Sequence, residues 1–303
     1  LWAGLPTTWS ARSAGVRPAE HSRDPDARMT QVKVKPSFSI VRVDETDSTN
    51  RMARALAEGG ACDGTVVVAR RQTAGRGRCG RFWLSSGDFG LWFSVVLRPR
   101  FEPNLGGLLG IGAAVAVARA VDKLTGVRAD VKWPNDVLIR GRKVCGVLAE
   151  ASTVAGRLDW AVVGVGINLF PPEGGFPAEL LPVATSLSEH MGRYTVVDRE
   201  RLLAAVLDEL AGCIVLLEQG ARGARALADE AERLMGPMIG RRITVKAASS
   251  RFEAVAARLD DEGALVVVSD SGESIRVTSA DVSIGCGPAQ SAQSAEPEEA
   301  PTQ

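Results

Sequence analysis

The sequence predicts an α+β fold, in which a mixed and largely antiparallel sheet is backed by helices and followed by a small C-terminal β-barrel. Three observations support this prediction. Short apolar strands joined by tight turns follow one another between residues 131 and 169, and such a meander makes neighbouring strands antiparallel. Segments with helical apolar periodicity flank the meander on both sides. From about residue 238 only short strands separated by turn residues remain, as in a small barrel.

The N-terminal part of the sheet begins with a strand in FSIVRVDETDSTN, where apolar and polar residues alternate. A polar cluster then opens a helix that places Met52, Ala55 and Leu56 on one face and ends at a glycine pair. TVVVARRQ and GLWFSVVLRP each predict a strand because both are rich in β-branched and aromatic residues. The small residues of the segment 106–124 predict a closely packed helix.

The C-terminal half is predicted in the same way. VKWPNDVLIRGRKVCGVLAEA and LDWAVVGVGINL supply three or four strands of the meander. Asp198 caps a predicted helix over RERLLAAVLDELAGCIVLLEQ, and a second helix over ARALADEAERLM ends at Gly236 and Pro237. The strands of the barrel are predicted in RRITVKA, FEAVAARLD, ALVVVSD and ESIRVTS.

Four regions follow from this order: a disordered leader over 1–36, a large domain over 37–236, a small domain over 237–285 and a disordered tail over 286–303. The leader lacks the apolar core of a secretory signal, and Met29 is a candidate translation start. The longest uncharged apolar run, 105–118, is shorter than the roughly 18 residues of a membrane span, so we expect a buried helix there.

Composition excludes several classes of function. Thirty-six basic residues balance thirty-six acidic ones, so no net field attracts nucleic acid or a membrane surface. With only two histidines, His21 and His190, and no G-x-S-x-G elbow, the chain is a poor candidate for a histidine-assisted hydrolase. Five scattered cysteines without C-x-x-C spacing fit a reducing cytoplasm. We therefore expect a cytoplasmic protein that needs no enzyme nucleophile and has neither nucleic-acid nor membrane partners.

The segment QTAGRGRCGRFW, residues 72–83, which we name the arginine loop, matches the G-x-G-x-x-G spacing of a dinucleotide site. A dinucleotide loop leads into a helix, whereas here a second strand follows, so this assignment is excluded. Five arginines and no acidic residue occur between Gly64 and Gly87, which predicts an uncompensated positive patch. Guanidinium groups and glycine N–H groups suit a carboxylate or a phosphate. An anion-binding loop is therefore favoured over a basic surface loop.

Four shorter motifs also carry polar side chains, and each has a simpler structural interpretation. The residues of DSTN fit an ordinary helix N-cap, and KWPND fits a surface turn. Lys143 in GRKVCG fits a solvated lysine on an edge strand, and Asn168 in VVGVGIN fits a strand-end bulge. Each simple interpretation is competitive when its motif is taken alone. The order and the intervals of all five motifs are much more specific.

Taken together, DSTN, QTAGRGRCGRFW, KWPND, GRKVCGVLAE and GVGINL resemble one family, the biotin protein ligases, or biotin-[acetyl-CoA-carboxylase] ligases. The resemblance runs from Phe38 to Gly285 and is closest to the monofunctional type without a DNA-binding domain. It implies a class II synthetase-like core with a C-terminal SH3-like barrel. The sequence departs from the family at Cys79, where the loop more often carries a basic residue.

The resemblance also implies the roles of individual residues. The catalytic residues would be Lys143, Arg78 and Asp136. The biotin-binding residues would be Ser48, Thr49, Asn50, Gln72, Gly75, Arg76, Gly77, Arg78 and Lys143. The nucleotide-binding residues would be Arg78, Arg81, Trp83, Lys132, Asn135 and Asn168. Asp136 would also hold the magnesium ion that accompanies ATP.

The implied reaction has two steps, activation of biotin by ATP to biotinyl-5′-AMP and transfer of biotin to a lysine of a biotin carboxyl carrier protein. We expect a monomer or a weak homodimer. Two alternatives stay open at this point. A lipoyl or octanoyl ligase shares the fold, but Gln72 and the arginine loop favour a ureido ring over an acyl chain. A biotin-sensing repressor is disfavoured because no recognition helix precedes the catalytic region.

Overall fold

A seven-stranded mixed sheet forms the centre of the computed structural model, which describes residues 37–192, 198–247 and 250–284. The predicted leader and tail lie outside the described residues. The strands of this sheet are β1 (Ser39–Thr46), β2 (Thr65–Gln72), β3 (Gly90–Leu97), β4 (Asp130–Lys132), β5 (Asp136–Ile139), β6 (Arg142–Val154) and β7 (Arg157–Asn168). Their order across the sheet is β1-β2-β3-β7-β6-β5-β4.

The direction of these strands confirms the predicted mixed and largely antiparallel sheet. β1 runs parallel to β2, and each of the other neighbouring pairs is antiparallel. β3 and β7 lie side by side in the middle, where all eight residues of β3 are buried. Their continuous apolar character follows from burial on both faces of the sheet.

The helices are α1 (Thr49–Glu58), α2 (Gly107–Thr125), α3 (Arg199–Leu217) and α4 (Ala221–Leu234). α2 belongs to the same core cluster as the central strands and packs against α3 and α4. An added Cβ at Gly112 would lie 3.1 Å from Leu227, so the glycine permits this close approach. The segment Pro103–Thr125 is long and apolar enough to cross a membrane, but 72% of its most apolar stretch is buried inside the protein, as in a core helix.

The face that α1 buries differs from the predicted one. Ala53 and Ala57 are fully buried, Met52 and Leu56 are half-buried beside them, and Ala55 is exposed. The small alanine side chains allow the helix to lie directly on the sheet, which leaves the larger side chains at the rim of the contact. The prediction placed the larger side chains at the centre of the buried face and was wrong about Ala55, which is exposed. The predicted cap of α3 is confirmed, because Asp198 accepts from the backbone N–H groups of Glu200 and Arg201 at 3.0 and 3.1 Å.

A second sheet follows the helices. Its strands are β8 (Arg242–Lys246), β9 (Arg251–Leu259), β10 (Leu265–Val268), β11 (Ser274–Val277) and β12 (Asp281–Ile284), in the antiparallel order β11-β10-β9-β8-β12. β12 was not predicted because its four residues, DVSI, are too short to show periodicity. The indole Nε1 of Trp133 donates to the carbonyl of Gly263 at 3.0 Å and joins the two sheets. The SH3-like barrel and the boundary at residue 237 stay predictions.

Candidate active site

The arginine loop connects β2 to β3 and is folded as a small hairpin. The backbone N–H of Gly77 donates to the carbonyl of Arg81 at 2.7 Å, and that of Trp83 donates to Gly75 at 3.0 Å. Gly75 has no room for a side chain, because an added Cβ would lie 2.3 Å from the hydroxyl of Ser85. Gly75 therefore permits the close return of the loop.

The prediction that the positive charge of this region is uncompensated is wrong. Four of its five arginines pair with acidic side chains that are distant in the sequence: Arg70 with Asp44 and Asp88, Arg71 with Glu45, Arg76 with Glu150, and Arg81 with Asp281. A local count of charges misses these partners because the fold supplies them. Arg78 is the exception, since none of the described residues gives it a carboxylate partner.

Arg78 instead contacts two neutral oxygens. One guanidinium nitrogen, Nη1, lies 3.4 Å from Oδ1 of Asn135, and the other, Nη2, lies 3.2 Å from Oγ of Ser279. Neutral acceptors hold the guanidinium in place without cancelling its charge. Arg78 is therefore the arginine of the loop that is best prepared to meet an anionic ligand.

The residues of DSTN form a buried polar cluster at the start of α1. Ser48, Thr49 and Asn50 are 1%, 4% and 4% exposed, and the Ser48 hydroxyl makes no capping hydrogen bond. The N-cap interpretation therefore does not account for them. The backbone N–H and the hydroxyl of Thr49 both donate to Oε1 of Gln72, at 2.7 and 3.1 Å. This contact brings the end of β2 against the start of α1.

Asn50 is held on three sides. Its Nδ2 donates to the carbonyl of Leu148 at 3.1 Å and to Oε2 of Glu150 at 2.9 Å, while its Oδ1 accepts from the hydroxyl of Ser94 at 2.7 Å. Both amide protons are thus engaged, and the oxygen keeps one lone pair for a ligand. The sequence analysis missed Ser94, Ser85 and Glu150. A signal existed for Ser94, which is the one hydroxyl in the apolar strand GLWFSVVL.

Lys143 and Asp136 form the charged centre of the site. The ammonium Nζ lies 2.6 Å from Oδ1 of Asp136 and 5.0 Å from the ring centroid of Trp83. Since β6 lies between β5 and β7, the interpretation of Lys143 as an edge lysine is wrong. A register shift between Val137 and Leu138 alters the alignment of the two strands that carry this pair.

Lys132 adds a second ammonium group to this centre. Burial lowers the pKa of Lys132, and the nearby cations Lys143 and Arg81 lower that pKa further, while Asp136 opposes the shift. Burial is the main cause of this shift, and the smaller effects of Lys143 and Arg81 show that three cationic groups lie close together here. Such a concentration favours the binding of a polyanion.

Trp83 packs directly against Gly146 of β6 and Gly166 of β7. An added Cβ at Gly166 would lie 2.5 Å from its Nε1, and one at Gly146 would lie 2.9 Å from its ring. The Nε1 of Trp83 is buried and has no hydrogen-bond partner in the structure. The indole therefore depends on both glycines for its position.

Asn168 stands apart from the other predicted nucleotide residues. Its Nδ2 donates to the carbonyl of Thr185 at 3.0 Å, and the backbone N–H of Thr185 donates to the carbonyl of Lys143 at 2.9 Å. Among the described residues, the hydrogen bonds of Asn168 thus reach Lys143 through the backbone of Thr185. Within the described residues, no group of three or more histidine, cysteine or acidic side chains could hold a metal ion.

Comparisons with known proteins agree with this site. A model of the biotin/lipoate A/B protein ligase family matches residues 43–168. The bifunctional ligase/repressor BirA of Bacillus subtilis (strain 168) is 35% identical over 250 residues, which cover 81% of this chain and 74% of that protein. The biotin-[acetyl-CoA-carboxylase] ligase of Mycobacterium tuberculosis (strain ATCC 25618 / H37Rv) is 35% identical over 246 residues, which cover 79% of this chain and 86% of that protein.

A solved structure supports the same family assignment. Biotin protein ligase from Aquifex aeolicus, in complex with biotin and ATP, matches with a TM-score of 0.70 at 29% identity, over 81% of this chain and 99% of that one. The chain therefore belongs to the biotin/lipoate A/B protein ligase family, and within that family to the biotin protein ligases. The resemblance seen in the five motifs is confirmed.

Proposed function

We propose that the chain activates biotin with ATP to biotinyl-5′-AMP and then transfers biotin to a lysine of a biotin carboxyl carrier protein of acetyl-CoA carboxylase. One observation carries the proposal. Asn50 lies over Gly164 of β7, Trp83 lies over Gly166 and Gly146, and Lys143 lies beside Trp83 over Gly146. Residues two apart on a strand face the same side, so the buried polar cluster and the cationic centre adjoin on one face of the sheet. A neutral polar ring and an ionised carboxylate fit such a pair of neighbouring sites.

The polar cluster is suited to the ureido ring of biotin. The Ser48 hydroxyl is not used for capping, and Asn50 keeps an acceptor position on Oδ1. Gln72 donates to Ser85 Oγ at 3.0 Å through Nε2, which has a second proton to offer. With Thr49 and the backbone of the arginine loop from Gly75 to Gly77, these groups supply both donors and acceptors. Arg76, Arg78 and Lys143 would meet the carboxylate.

The nucleotide would occupy the cationic centre. Lys132, Arg78 and Arg81 would neutralise its phosphates, and Trp83, Asn135 and Asn168 would border its base and ribose. Asp136 is the one carboxylate among these residues. Mg²⁺ is commonly held by one or two carboxylates together with substrate phosphates, so Asp136 fits a magnesium ion that arrives with ATP.

The first step brings a carboxylate against the α-phosphorus of ATP, and the repulsion between these anions is its main electrostatic obstacle. Lys143, Lys132 and Arg78 offer fixed positive charge at that point, which stabilises the approach without reorganisation. The carboxylate oxygen bonds to phosphorus, and pyrophosphate leaves. Biotinyl-5′-AMP then needs no covalent attachment to the enzyme.

In the second step the ε-amine of the acceptor lysine attacks the carbonyl carbon of biotinyl-5′-AMP, and AMP leaves. The amine has to lose a proton to become a nucleophile. Asp136 is our candidate for accepting that proton, because it is the one carboxylate among the proposed catalytic and nucleotide-binding residues. We further propose that the second sheet is a separate C-terminal domain, and that the protein is a monomer or weak homodimer without nucleic-acid or membrane partners.

The proposal is tested by ATP–pyrophosphate exchange with either biotin or lipoate as the acid. We expect exchange that depends on biotin. Exchange only with lipoate would move the chain to the lipoate branch of its family, and exchange with neither acid would refute the first step. Transfer is then followed as label from biotin appearing on a purified carrier domain.

Arg78→Ala is expected to slow biotin-dependent exchange by about 10- to 100-fold with little change in stability, because the side chain contacts only neutral groups in the folded protein. Arg70→Ala is the matched control. It removes another arginine of the same basic segment, whose side chain is 66% exposed and whose guanidinium lies 3.5 Å from Asp44. Equal exchange rates in the two variants would contradict the role of Arg78.

A further inference from the structure

Glu150, on β6, carries a carboxylate that connects two separate parts of the site. Its side chain is only 24% exposed. Oε2 accepts from Nδ2 of Asn50 at 2.9 Å, and Oε1 lies 3.4 Å from Nη1 of Arg76. Asn50 belongs to the start of α1, and Arg76 belongs to the arginine loop. One carboxylate therefore holds both, with one oxygen for each.

This carboxylate completes a continuous path of polar contacts. From Arg76 and Glu150 the path passes through Asn50, Ser94, the hydroxyl and the backbone N–H of Thr49, Gln72 and Ser85 to the carbonyl of Trp83. Both ends of the path lie in the arginine loop, and the backbone bond from Trp83 to Gly75 at 3.0 Å brings these ends together. The loop and the buried cluster are thus joined as one unit, in which Glu150 is the single acidic member.

The negative charge of Glu150 contributes to how its partners are oriented. A carboxylate accepts only, so Glu150, together with the carbonyl of Leu148, turns the amide of Asn50 with nitrogen toward β6 and oxygen toward Ser94. The same charge holds one guanidinium nitrogen of Arg76 and leaves the remaining nitrogens of that group to other acceptors. A partly buried carboxylate without such partners would be costly, which explains why both of its oxygens are engaged.

We infer that Glu150 is a positioning residue for the acid substrate: it sets the amide of Asn50 for the ureido ring and the guanidinium of Arg76 for the carboxylate, without contacting the substrate itself. The inference rests on the proposed function. Neither partner of Glu150 belongs to the nucleotide residues. Its effect is therefore confined to the binding of the acid.

Glu150→Gln removes the charge and keeps the shape. The new NH₂ group has to face either Asn50 Nδ2 or Arg76, where two donors oppose each other. In ATP–pyrophosphate exchange, we expect KM for biotin to rise about 10-fold and KM for ATP to stay within about twofold, since about 1.4 kcal/mol corresponds to tenfold. A purely structural role would not produce this difference between the two KM values.

A double-mutant cycle locates the effect. If Glu150 acts through Arg76, then Glu150→Gln raises KM for biotin less in an Arg76→Ala background than in the unchanged protein, because contacting residues are not additive. Glu253→Gln is the control. It removes the charge of a glutamate that is 62% exposed and lies 3.7 Å from Arg242, far along the chain from the site, and it should leave both KM values unchanged.

Each outcome bears on one hypothesis only. If the unchanged protein shows no biotin-dependent exchange, the proposed function fails before Glu150 is tested. If that protein is active, then unchanged KM values in Glu150→Gln, an equal rise in both KM values, additivity with Arg76→Ala, or loss of the fold would each overturn the positioning role.

Discussion

Replacing Lys143 by alanine is expected to slow biotin-dependent ATP–pyrophosphate exchange by about 10²- to 10³-fold, the usual cost of losing one fixed group that stabilises developing charge. The ammonium group of Lys143 lies 2.6 Å from Oδ1 of Asp136 and 5.0 Å from the ring centroid of Trp83. Without it, Asp136 adds negative charge where two anions have to meet. The measurement is the exchange rate at saturating biotin and ATP.

Two further variants sharpen this prediction. Lys123→Ala removes an ammonium group on α2 that is 64% exposed and lies 3.8 Å from Glu209, and it should exchange at the normal rate. Lys143→Arg keeps the charge but replaces a compact ammonium by a planar group, so we expect partial activity at most. Normal exchange in Lys143→Ala would remove this lysine from the proposed mechanism.

Gly164→Ala is expected to lower the free energy of unfolding by about 3 kcal/mol and to raise KM for biotin, from overpacking and the loss of buried hydrogen bonds. The added Cβ would lie 1.8 Å from Oδ1 of Asn50. Asn50 has no free direction in which to move, because Leu148, Glu150 and Ser94 hold it. Urea unfolding should show a lower midpoint with an unchanged slope.

Gly212→Ala on α3 is the matched control for this effect. No atom lies within 4 Å of its added Cβ. Alanine is the better helix former by roughly 0.5–1 kcal/mol, so this variant should be slightly more stable than the unchanged protein. Equal stability changes in the two glycine variants would show that the contact with Asn50 does not matter.

The fold was predictable wherever a run of residues carries its own pattern. The strand GLWFSVVL is apolar throughout because β3 lies in the middle of the sheet, and its identity as a strand followed from that run. The buried face of α1 depends instead on how closely Ala53 and Ala57 approach the sheet, which periodicity alone does not express. β12 depends on its pairing with β8, because four residues contain too few repeats to show a period.

The candidate site shows the same division. Lys143 and the arginine loop were found because they occur in dense local motifs. Glu150 and Asp281 were missed as partners of Arg76 and Arg81, since each is a single acidic residue in an unremarkable strand. Charge balance within a segment therefore says little about charge balance in the folded site, where partners come from anywhere in the chain.

The contacts of the arginine loop with the second sheet have a consequence for biosynthesis. Arg78 reaches Ser279 across 201 residues of chain, and Arg81 pairs with Asp281 in β12. A growing polypeptide emerges from the ribosome with its N-terminal part first, so the loop leaves the exit tunnel long before these partners exist. Ribosome-stalled chains that lack residues from 279 onward would therefore leave Arg81 without its ion-pair partner and Arg78 with Asn135 but without Ser279, so the site would acquire its final electrostatics only after residues 279–281 have been made.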